Sequence, residues 1–389
     1  MKVRVMVSPV RYIPDAVFLV LAVWLQWRLA GWALETPRFQ GSRPARLAYH
    51  GLAAVACVWI VAPALYTIGA VLGWWPHSSL MAWVRGASIL WAIVSAGLAG
   101  LVWLNRQAPA FDPRRRRLLA ASRAALFAAP FAVAGTGVAV GRTSFQLAEI
   151  EVPIAGLPPD LDGLRIVHLS DIHLEPFLTD DELRRVVAMA NETRAHLAVV
   201  TGDLITLHGD KLSDCLRILS RLRADAGVLG CLGNHEIVGR CQNRAESEGR
   251  GLGIDFLRGA SRQLRFGQAV LNVGGVDYQR REKPYLVAAE QMVRPGQVNL
   301  LLSHNPDVFP VAARQGWDLT LAGHTHGGQL TFGPLRQYLN LARLFTPYVY
   351  GLYREGRSSI YVTRGIGTVA VPARIGAPPE IALVKLCVT

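Results

Sequence analysis

Two patterns of apolar positions divide this chain near residue 145. Before that point, long runs with few or no charged residues alternate with short basic segments. Each run is near or above the length of about 20 residues that a helix needs to cross a bilayer. The runs cover residues 13–34, 47–84, 86–104 and 124–141. We therefore predict an all-α transmembrane domain of about four helices over residues 1–145.

From residue 150 onward, short apolar runs alternate with amphipathic stretches and glycine-rich turns, which is typical of an α/β fold. We expect this second domain to span residues 150–389. Short apolar runs predict buried strands over 164–169, 197–200, 228–232, 298–302 and 319–322. Helices are predicted over 180–194 and 211–223, and further strands without intervening helices over 348–353, 359–363 and 381–386.

Net charge separates the two domains. The chain carries +13, but residues 1–145 hold 15 Lys and Arg against three acidic residues, and the rest of the chain is close to neutral at +1. Basic residues that flank apolar runs are typical of membrane proteins. Because they form no basic stripe and no RNA-binding signature accompanies them, we expect no nucleic-acid partner.

The placement of the basic residues predicts the orientation in the membrane. The segments after the first and third runs hold nine Lys and Arg, including the four arginines at 114–117, whereas the N-terminus and the segment around Arg85 hold four. The positive-inside rule places the richer side in the cytoplasm. We therefore expect a multi-pass protein of the inner (plasma) membrane whose second domain is extracytoplasmic, in the periplasm or cell exterior.

The cysteines give no motif. Five are present at irregular spacing, and no two of them form a C-x-x-C pair, so neither a zinc finger nor a redox motif is indicated. Buried free thiols are the favoured interpretation. A disulfide between Cys231 and Cys241 is the alternative.

Metal-binding residue types follow five of the predicted strands, at the point where each strand ends. The segments are 170–173 (S-D-I-H), 202–203 (G-D), 233–236 (G-N-H-E), 303–304 (S-H) and 323–328 (G-H-T-H-G-G). Because the carboxyl ends of strands in an α/β sheet meet at one crevice, we expect these side chains to lie together. A mixed set of carboxylate, amide and imidazole donors suits Mn²⁺, Fe or Zn²⁺ better than Mg²⁺ or Ca²⁺.

The order D-x-H, G-D, G-N-H-E, H and G-H-x-H resembles the calcineurin-like metallophosphoesterase superfamily. The resemblance covers about residues 164–386 and includes the S-H-N-P, L-A-G-H-T-H-G-G-Q and P-P-E-I segments. These flanks look most like bacterial membrane-associated members of phosphodiesterase type. The resemblance implies a four-layer α/β/β/α sandwich, two sheets flanked by helices, with the metals at the strand ends.

The resemblance also implies a role for each residue of the motifs. Asp203 would bridge two divalent ions, with Mn²⁺ as the favoured species and Fe or Zn²⁺ as alternatives. His235 would not ligate; it would be the catalytic residue that faces the substrate and stabilises the phosphoryl group or protonates the leaving oxygen. The first metal would be held by Asp171, His173 and His326, and the second by Asn234, His304 and His324.

One position departs from the pattern of related phosphatases. A second Asp three residues after the bridging Asp supports the catalytic His in those enzymes, and this chain has Thr206 there. A hydroxyl accepts a hydrogen bond but carries no charge, so it raises the pKa of an imidazole less than a carboxylate does. Two polar neighbours of the motifs, Glu236 and His168, are predicted to be structural and not ligands.

These observations predict a membrane-anchored phosphoesterase that hydrolyses a phosphodiester or a lipid-linked phosphoester. Two cations about 3.5–4 Å apart lower the pKa of a shared water and neutralise charge on the phosphoryl group. The alternative is a non-enzymatic regulatory or scaffold protein that retains the fold, and the complete ligand set argues against it. A transporter is disfavoured because the apolar runs carry few charges, which lie near their ends.

Overall fold

Long helices form in the first third of the chain, and two β-sheets with helices outside them form in the remainder. The computed structural model describes residues 13–36, 39–71, 78–107, 116–280, 284–331 and 340–388. The chain divides into two compact units, Met1–Gly135 and Thr136–Thr389.

Among the described residues, four apolar helices build the first unit, and each overlaps a stretch of 19 or more residues with the length and hydropathy of a membrane span. Side chains such as Leu47, which is 77% exposed, place apolar surface on the outside of the helices. The prediction of four long apolar helices is confirmed. The helices are α1 (Ile13–Leu34), α2 (Arg43–Val71), α3 (Ser79–Gln107) and α4 (Arg116–Ala139), the last of which continues into the second unit.

The boundary between α2 and α3 differs from the predicted one. The uncharged run over 47–84 predicts a span that ends before Arg85, but α2 ends at Val71 and α3 begins at Ser79, so Arg85 lies inside α3. The run is longer than the roughly 20 residues that a bilayer requires, and it therefore contains parts of two helices. The length of an apolar run therefore indicates helix boundaries better than the position of a single arginine does.

The orientation in the membrane stays a prediction. Several of the basic residues on which it depends lie outside the described residues. They are Lys2, Arg4, Arg11, Arg38, Arg114 and Arg115.

The described part of the second unit contains two six-stranded sheets, each with a parallel centre. In the first sheet the spatial order is β1-β12-β2-β3-β4-β5, and only β12 and β2 pair antiparallel. Its strands are β1 (Gln146–Ile154), β2 (Arg165–Leu169), β3 (Leu197–Thr201), β4 (Val228–Cys231), β5 (Ile254–Phe256) and β12 (Glu380–Val388).

The second sheet has the order β10-β11-β9-β8-β7-β6, with antiparallel strands at both edges. Its parallel centre runs from β7 to β11 through β8 and β9. Its strands are β6 (Ala260–Phe266), β7 (Ala269–Val276), β8 (Val298–Ser303), β9 (Leu319–Ala322), β10 (Gly351–Glu355) and β11 (Ser358–Val362).

Alternate residues of the central strands face two different cores. On β2, Val167 and Leu169 pack with the helices on the outer face of the first sheet, whereas Ile166 packs against the second sheet. Smaller clusters around Trp317 and Phe309 cover the outer face of the second sheet. This arrangement is the predicted four-layer α/β/β/α sandwich. The helices are α5 (Asp180–Glu192), α6 (Leu212–Leu219), α7 (Asn234–Val238), α8 (Gln242–Gly251) and α9 (Phe309–Gln315).

The predicted central strands match β2, β3, β4, β8 and β9 within one or two residues, but four strands had no prediction. These four are β1, β5, β6 and β7. β6 carries mostly exposed or half-buried residues and lies at a sheet edge, and β5 has only three residues. An apolar run marks a strand only when both faces of the strand are buried, so the edge strands β1, β5 and β6 gave no such signal. The interior strand β7 is buried, but Asn272, Gly274 and Gly275 interrupt its apolar run.

All five cysteines are free thiols, and Cys231 and Cys241 form no disulfide. Cys215, Cys231 and Cys241 are buried in the sandwich, as the favoured interpretation predicts.

Candidate metal centre

The carboxyl ends of strands from both sheets meet at one crevice. Asp171 and His173 follow β2, Asp203 follows β3 and Asn234 begins α7 directly after β4. From the second sheet, His304 follows β8, and His324 and His326 follow β9. The predicted site residues, separated by up to 155 positions in the chain, therefore lie at the same end of the sandwich.

Three groups of side chains within this crevice have the spacing to hold a metal ion, with their donor atoms within 4.8 Å of one another. Each group contains one aspartate and two histidines. His173 belongs to two groups and Asp203 belongs to two, so the three groups form one continuous cluster. The groups are Asp171–His173–His326, His173–Asp203–His235 and Asp203–His304–His324.

Asp203 lies at the centre of the cluster. Its Oδ2 is 3.0 Å from Nε2 of His304, 3.6 Å from Nε2 of His173 and 4.0 Å from Nε2 of His235. Asp203 is 2% exposed, so its carboxylate is shielded from water and surrounded by imidazoles. The bridging role that the resemblance implies for Asp203 stays a prediction.

Hydrogen bonds to main-chain groups orient the donors. Nδ1 of His304 donates to the main-chain oxygen of Thr201 at 2.6 Å, which leaves Nε2 to face Asp203. The Asp171 carboxylate accepts the main-chain N–H of His324 at 2.9 Å. Partners of this kind fix the tautomer and the direction of a metal-binding side chain.

The backbone is strained at the predicted ligands. Five of the seven, Asp171, His173, Asp203, His324 and His326, have positive φ angles between 47° and 75°. Residues other than glycine adopt this conformation only rarely, and such strain is concentrated at functional sites.

Two glycines of the motifs are required by close contacts. A Cβ atom on Gly202, whose φ is +79°, would lie 2.3 Å from the main-chain nitrogen of Gly233. A Cβ atom on Gly323 would lie 2.0 Å from Oγ of Ser170 and 2.2 Å from Oδ2 of Asp171. The glycines therefore let neighbouring strand ends approach closely enough for the donors to converge.

Glu236 binds main-chain amides and not the donor cluster. Its buried carboxylate accepts hydrogen bonds from the N–H groups of Asp203, Leu204 and Gly233 at 2.7–3.0 Å. It therefore joins the ends of β3 and β4, as expected of a structural residue. His168 is also packed in the sheet, with Nε2 2.8 Å from Oγ1 of Thr201.

His235 lies at the edge of the cluster, with 18% of its side chain exposed. Its Nδ1 is 2.5 Å from the main-chain oxygen of Thr206. The Thr206 hydroxyl, which the sequence places as the support of this histidine, donates instead to the main-chain oxygen of Glu175 and lies 3.3 Å from Nδ1 of His173. Thr206 thus contacts His235 with its carbonyl and not with its hydroxyl, because the side chain points toward the loop after β2.

Sequence reasoning missed two residues beside the site. Arg374 is 2% exposed and donates to the main-chain oxygens of Gly365, Gly367, His326 and Ala377. The ring of Tyr278 lies 5.3 Å from that of His324 and 6.1 Å from that of His304. Neither residue belongs to a motif, so only their neighbourhood in the fold reveals them.

Burial and neighbouring charges divide the imidazoles around the Asp203 carboxylate into neutral ones and a charged one. Burial lowers the pKa of His173 and of His324 to about 3, so both offer a free lone pair. Burial also disfavours charge on His304, but Asp203 and Asp171 outweigh it and raise the pKa of this imidazole to about 10. Burial opposes ionisation of Asp203, yet the neighbouring imidazoles, His304 first, hold the pKa of its carboxyl well below the usual range.

Two buried atoms show that the donor set fits a metal. Nε2 of His173 and Oδ1 of Asn234 have no hydrogen-bond partner among the described residues, although both are shielded from water. Buried polar atoms are nearly always satisfied, and an orphan in a native fold requires an explanation. Two divalent cations, one beside each atom, would satisfy them, and the mixture of oxygen and nitrogen donors suits a transition metal.

Comparison with known proteins gives a consistent result. The calcineurin-like phosphoesterase family matches residues 164–328. A transmembrane protein with metallophosphoesterase domain from Danio rerio is 32% identical over 260 residues, which cover 62% of this chain and 57% of that protein. The chain thus spans little more than half of that relative.

Two relatives from Bacillus subtilis are covered more fully. The uncharacterized metallophosphoesterase YkuE is 29% identical over 242 residues, which cover 59% of this chain and 81% of YkuE. The uncharacterized protein YpbG is 30% identical over 236 residues, which cover 60% of this chain and 83% of YpbG.

Proposed function

Because this chain belongs to the calcineurin-like phosphoesterase family, we propose that it is a membrane-anchored phosphoesterase with two divalent metal ions. The observation that carries the proposal is the convergence of buried carboxylate and imidazole donors around Asp203, with orphaned atoms on His173 and Asn234. A fold without a metal would leave these two atoms buried and unsatisfied.

Each ion would have its own ligands and share one. Asp203 would bind both ions, since it takes part in two of the three groups of donors. The ions would be Mn²⁺, with Fe or Zn²⁺ as alternatives that the same donors accept. Asp171, His173 and His326 would hold the first ion, and Asn234, His304 and His324 the second.

The ions would supply an activated water and neutralise negative charge on the phosphoryl group. The protein itself orients the donors through Thr201 and through the His324 amide, and it excludes water by burying Asp171 and Asp203. His235 remains partly exposed and faces the substrate with Nε2. There it would hold the phosphoryl group or protonate the leaving oxygen.

The substrate is proposed to be a phosphodiester or a lipid-linked phosphoester in the membrane. Four helices with the length and composition of membrane spans support an anchor, which would keep the site near lipid head groups. The excess of arginines after the first and third spans supports an extracytoplasmic site at the inner membrane.

Hydrolysis by the purified full-length chain in detergent tests the proposal. We expect Mn²⁺-dependent hydrolysis of bis(p-nitrophenyl) phosphate by the wild type and none by Asp203→Ala. A non-enzymatic scaffold would bind metal in the same fold but release no nitrophenolate. A subsequent screen of membrane phospholipids and isoprenoid pyrophosphates would identify the substrate class.

Reporter fusions after Thr389 test the orientation. An alkaline phosphatase fusion, active only outside the cytoplasm, should be active, and a green fluorescent protein fusion should be dark. The reverse pair of results would place the site at the cytoplasmic leaflet.

A further inference from the structure

The imidazole of His235 is held by a main-chain group. Because the Thr206 carbonyl can only accept a hydrogen bond, the Nδ1 atom that lies 2.5 Å from it must carry the proton. Nε2 is then the nitrogen that faces the crevice, 4.0 Å from Oδ2 of Asp203. The direction of the imidazole therefore depends on the direction of the peptide that contains the Thr206 carbonyl.

A carboxylate fixes that peptide from its other side. Oδ2 of Asp210 accepts the main-chain N–H of Leu207 at 2.7 Å and that of Thr206 at 2.9 Å. The Leu207 N–H and the Thr206 carbonyl belong to one planar peptide unit, so Asp210 and His235 bind opposite ends of the same group. Hydrogen bonds arranged in such a chain polarise and strengthen one another.

Two further contacts attach the turn over residues 206–210 to its surroundings. The hydroxyl of Thr206 donates to the main-chain oxygen of Glu175 at 2.8 Å. Nδ1 of His208 lies 2.9 Å from the main-chain oxygen of Gly239, directly after α7. Since α7 also carries His235, two hydrogen bonds connect the turn to this helix. One joins His208 to Gly239, and the other joins the Thr206 carbonyl to His235.

We propose that Asp210 is a positioning residue for His235 and acts through the peptide between Thr206 and Leu207. This inference rests on the proposed function, because it concerns the imidazole that faces the substrate. It also explains how a carboxylate supports His235 although position 206 is a threonine. That carboxylate belongs to Asp210, four residues later in the chain, and the peptide unit between Thr206 and Leu207 connects it to the imidazole.

Three variants of the full-length, Mn²⁺-loaded protein test this role. Asp210→Ala removes both hydrogen bonds and should lower kcat for diphenyl phosphate by about 10- to 100-fold, with KM and metal content unchanged. Asp210→Asn keeps an oxygen that accepts both amides, so its kcat should stay within about threefold of wild type. Asp214→Ala, the control, removes an acid paired with Arg217 on α6 and should leave kcat unchanged.

The leaving group and a double mutant separate positioning from a general structural effect. The loss in Asp210→Ala should be smaller for bis(p-nitrophenyl) phosphate, whose leaving group needs little protonation. In a His235→Ala background, Asp210→Ala and Asp210→Asn should cause no further loss, because the imidazole they position is gone. If Asp210→Ala does not fold, the same double-mutant comparison with His235→Ala can be made with Asp210→Asn.

Several results would overturn the role of Asp210. These are a wild-type rate in Asp210→Ala, a loss in Asp210→Asn as large as in Asp210→Ala, and equal losses with and without His235. Each presupposes that the wild type hydrolyses phosphodiesters. A wild type without metal-dependent hydrolysis would instead refute the proposed function together with this inference.

Discussion

Oδ2 of Asp203 lies 3.0 Å from Nε2 of His304, although Asp203 follows β3 in the first sheet and His304 follows β8 in the second. The pair joins the two halves of the sandwich at the level of the crevice. A metal held by both side chains would bind one ligand from each sheet, so the site depends on the packing of the sheets against each other.

Asp203→Ala should be the most damaging change of a metal ligand. It removes the one carboxylate proposed to serve both ions, and kcat/KM should fall on the order of 10³-fold or more. Bound metal, measured by elemental analysis, should fall below two ions per chain. Asp225→Ala, which removes an exposed acid, is the control. Retention of both ions and of activity within tenfold would contradict the bridging role.

His235→Ala should keep both metal ions and lose about 10²- to 10⁴-fold in rate. If the imidazole protonates the leaving oxygen, the loss should be smaller for nitrophenolate than for phenolate. An equal loss with both leaving groups would assign His235 to holding the phosphoryl group. His173, Asp203 and His235 also have the spacing of a metal site. Elemental analysis that shows one ion lost would therefore make His235 a ligand and refute the present assignment.

Gly202→Ala should prevent the strand ends from closing around the site. The new methyl group would overlap the main chain of Gly233, in addition to the strain of a positive φ. Gly253→Ala is a matched control, since Gly253 has a φ of +82° but open space around it. Only Gly202→Ala should lose metal and activity, as measured by metal content and initial rate. Equal behaviour of the two variants would show that the close contact is unimportant.

Arg374→Met should destabilise the second unit, Thr136–Thr389. The buried guanidinium donates to the main-chain oxygens of His326 and Gly367, and its removal leaves these acceptors unsatisfied. The expected loss is about 3 kcal/mol or more, which should lower the thermal unfolding midpoint by several degrees. Arg357→Met, which changes an exposed arginine, should have little effect. An unchanged midpoint in Arg374→Met would exclude this structural role.

Much of the fold follows from the sequence because its central strands are buried on both faces. Runs such as residues 197–200 are apolar throughout, and each is followed by a polar motif that marks the edge of the sheet. Edge strands such as β6 carry polar residues on their exposed positions, and the apolar pattern therefore does not reveal them. In the same way, the lengths of the apolar runs predict the four apolar helices. The boundary predicted at Arg85 is wrong, because this arginine lies inside α3.

The site residues that can be predicted from the sequence are those that act through side-chain atoms. Asp171, His173 and His326 are predicted from the sequence because their motifs occur in a specific order, each directly after an apolar strand. The support of His235 could not be found in this way, because Thr206 contributes its main-chain oxygen and any residue would have one. Likewise, Arg374 reaches the site only through the folding of the last loop before β12.

Titration of metal-free, full-length protein with Mn²⁺ tests the central claim most directly, with bound Mn²⁺ per chain and the initial rate of bis(p-nitrophenyl) phosphate hydrolysis measured on the same samples. The account predicts no activity after chelation, and activity that rises with binding and reaches its maximum at two ions per chain. Full activity in chelated protein, or saturation with Mn²⁺ without any hydrolysis, would contradict it.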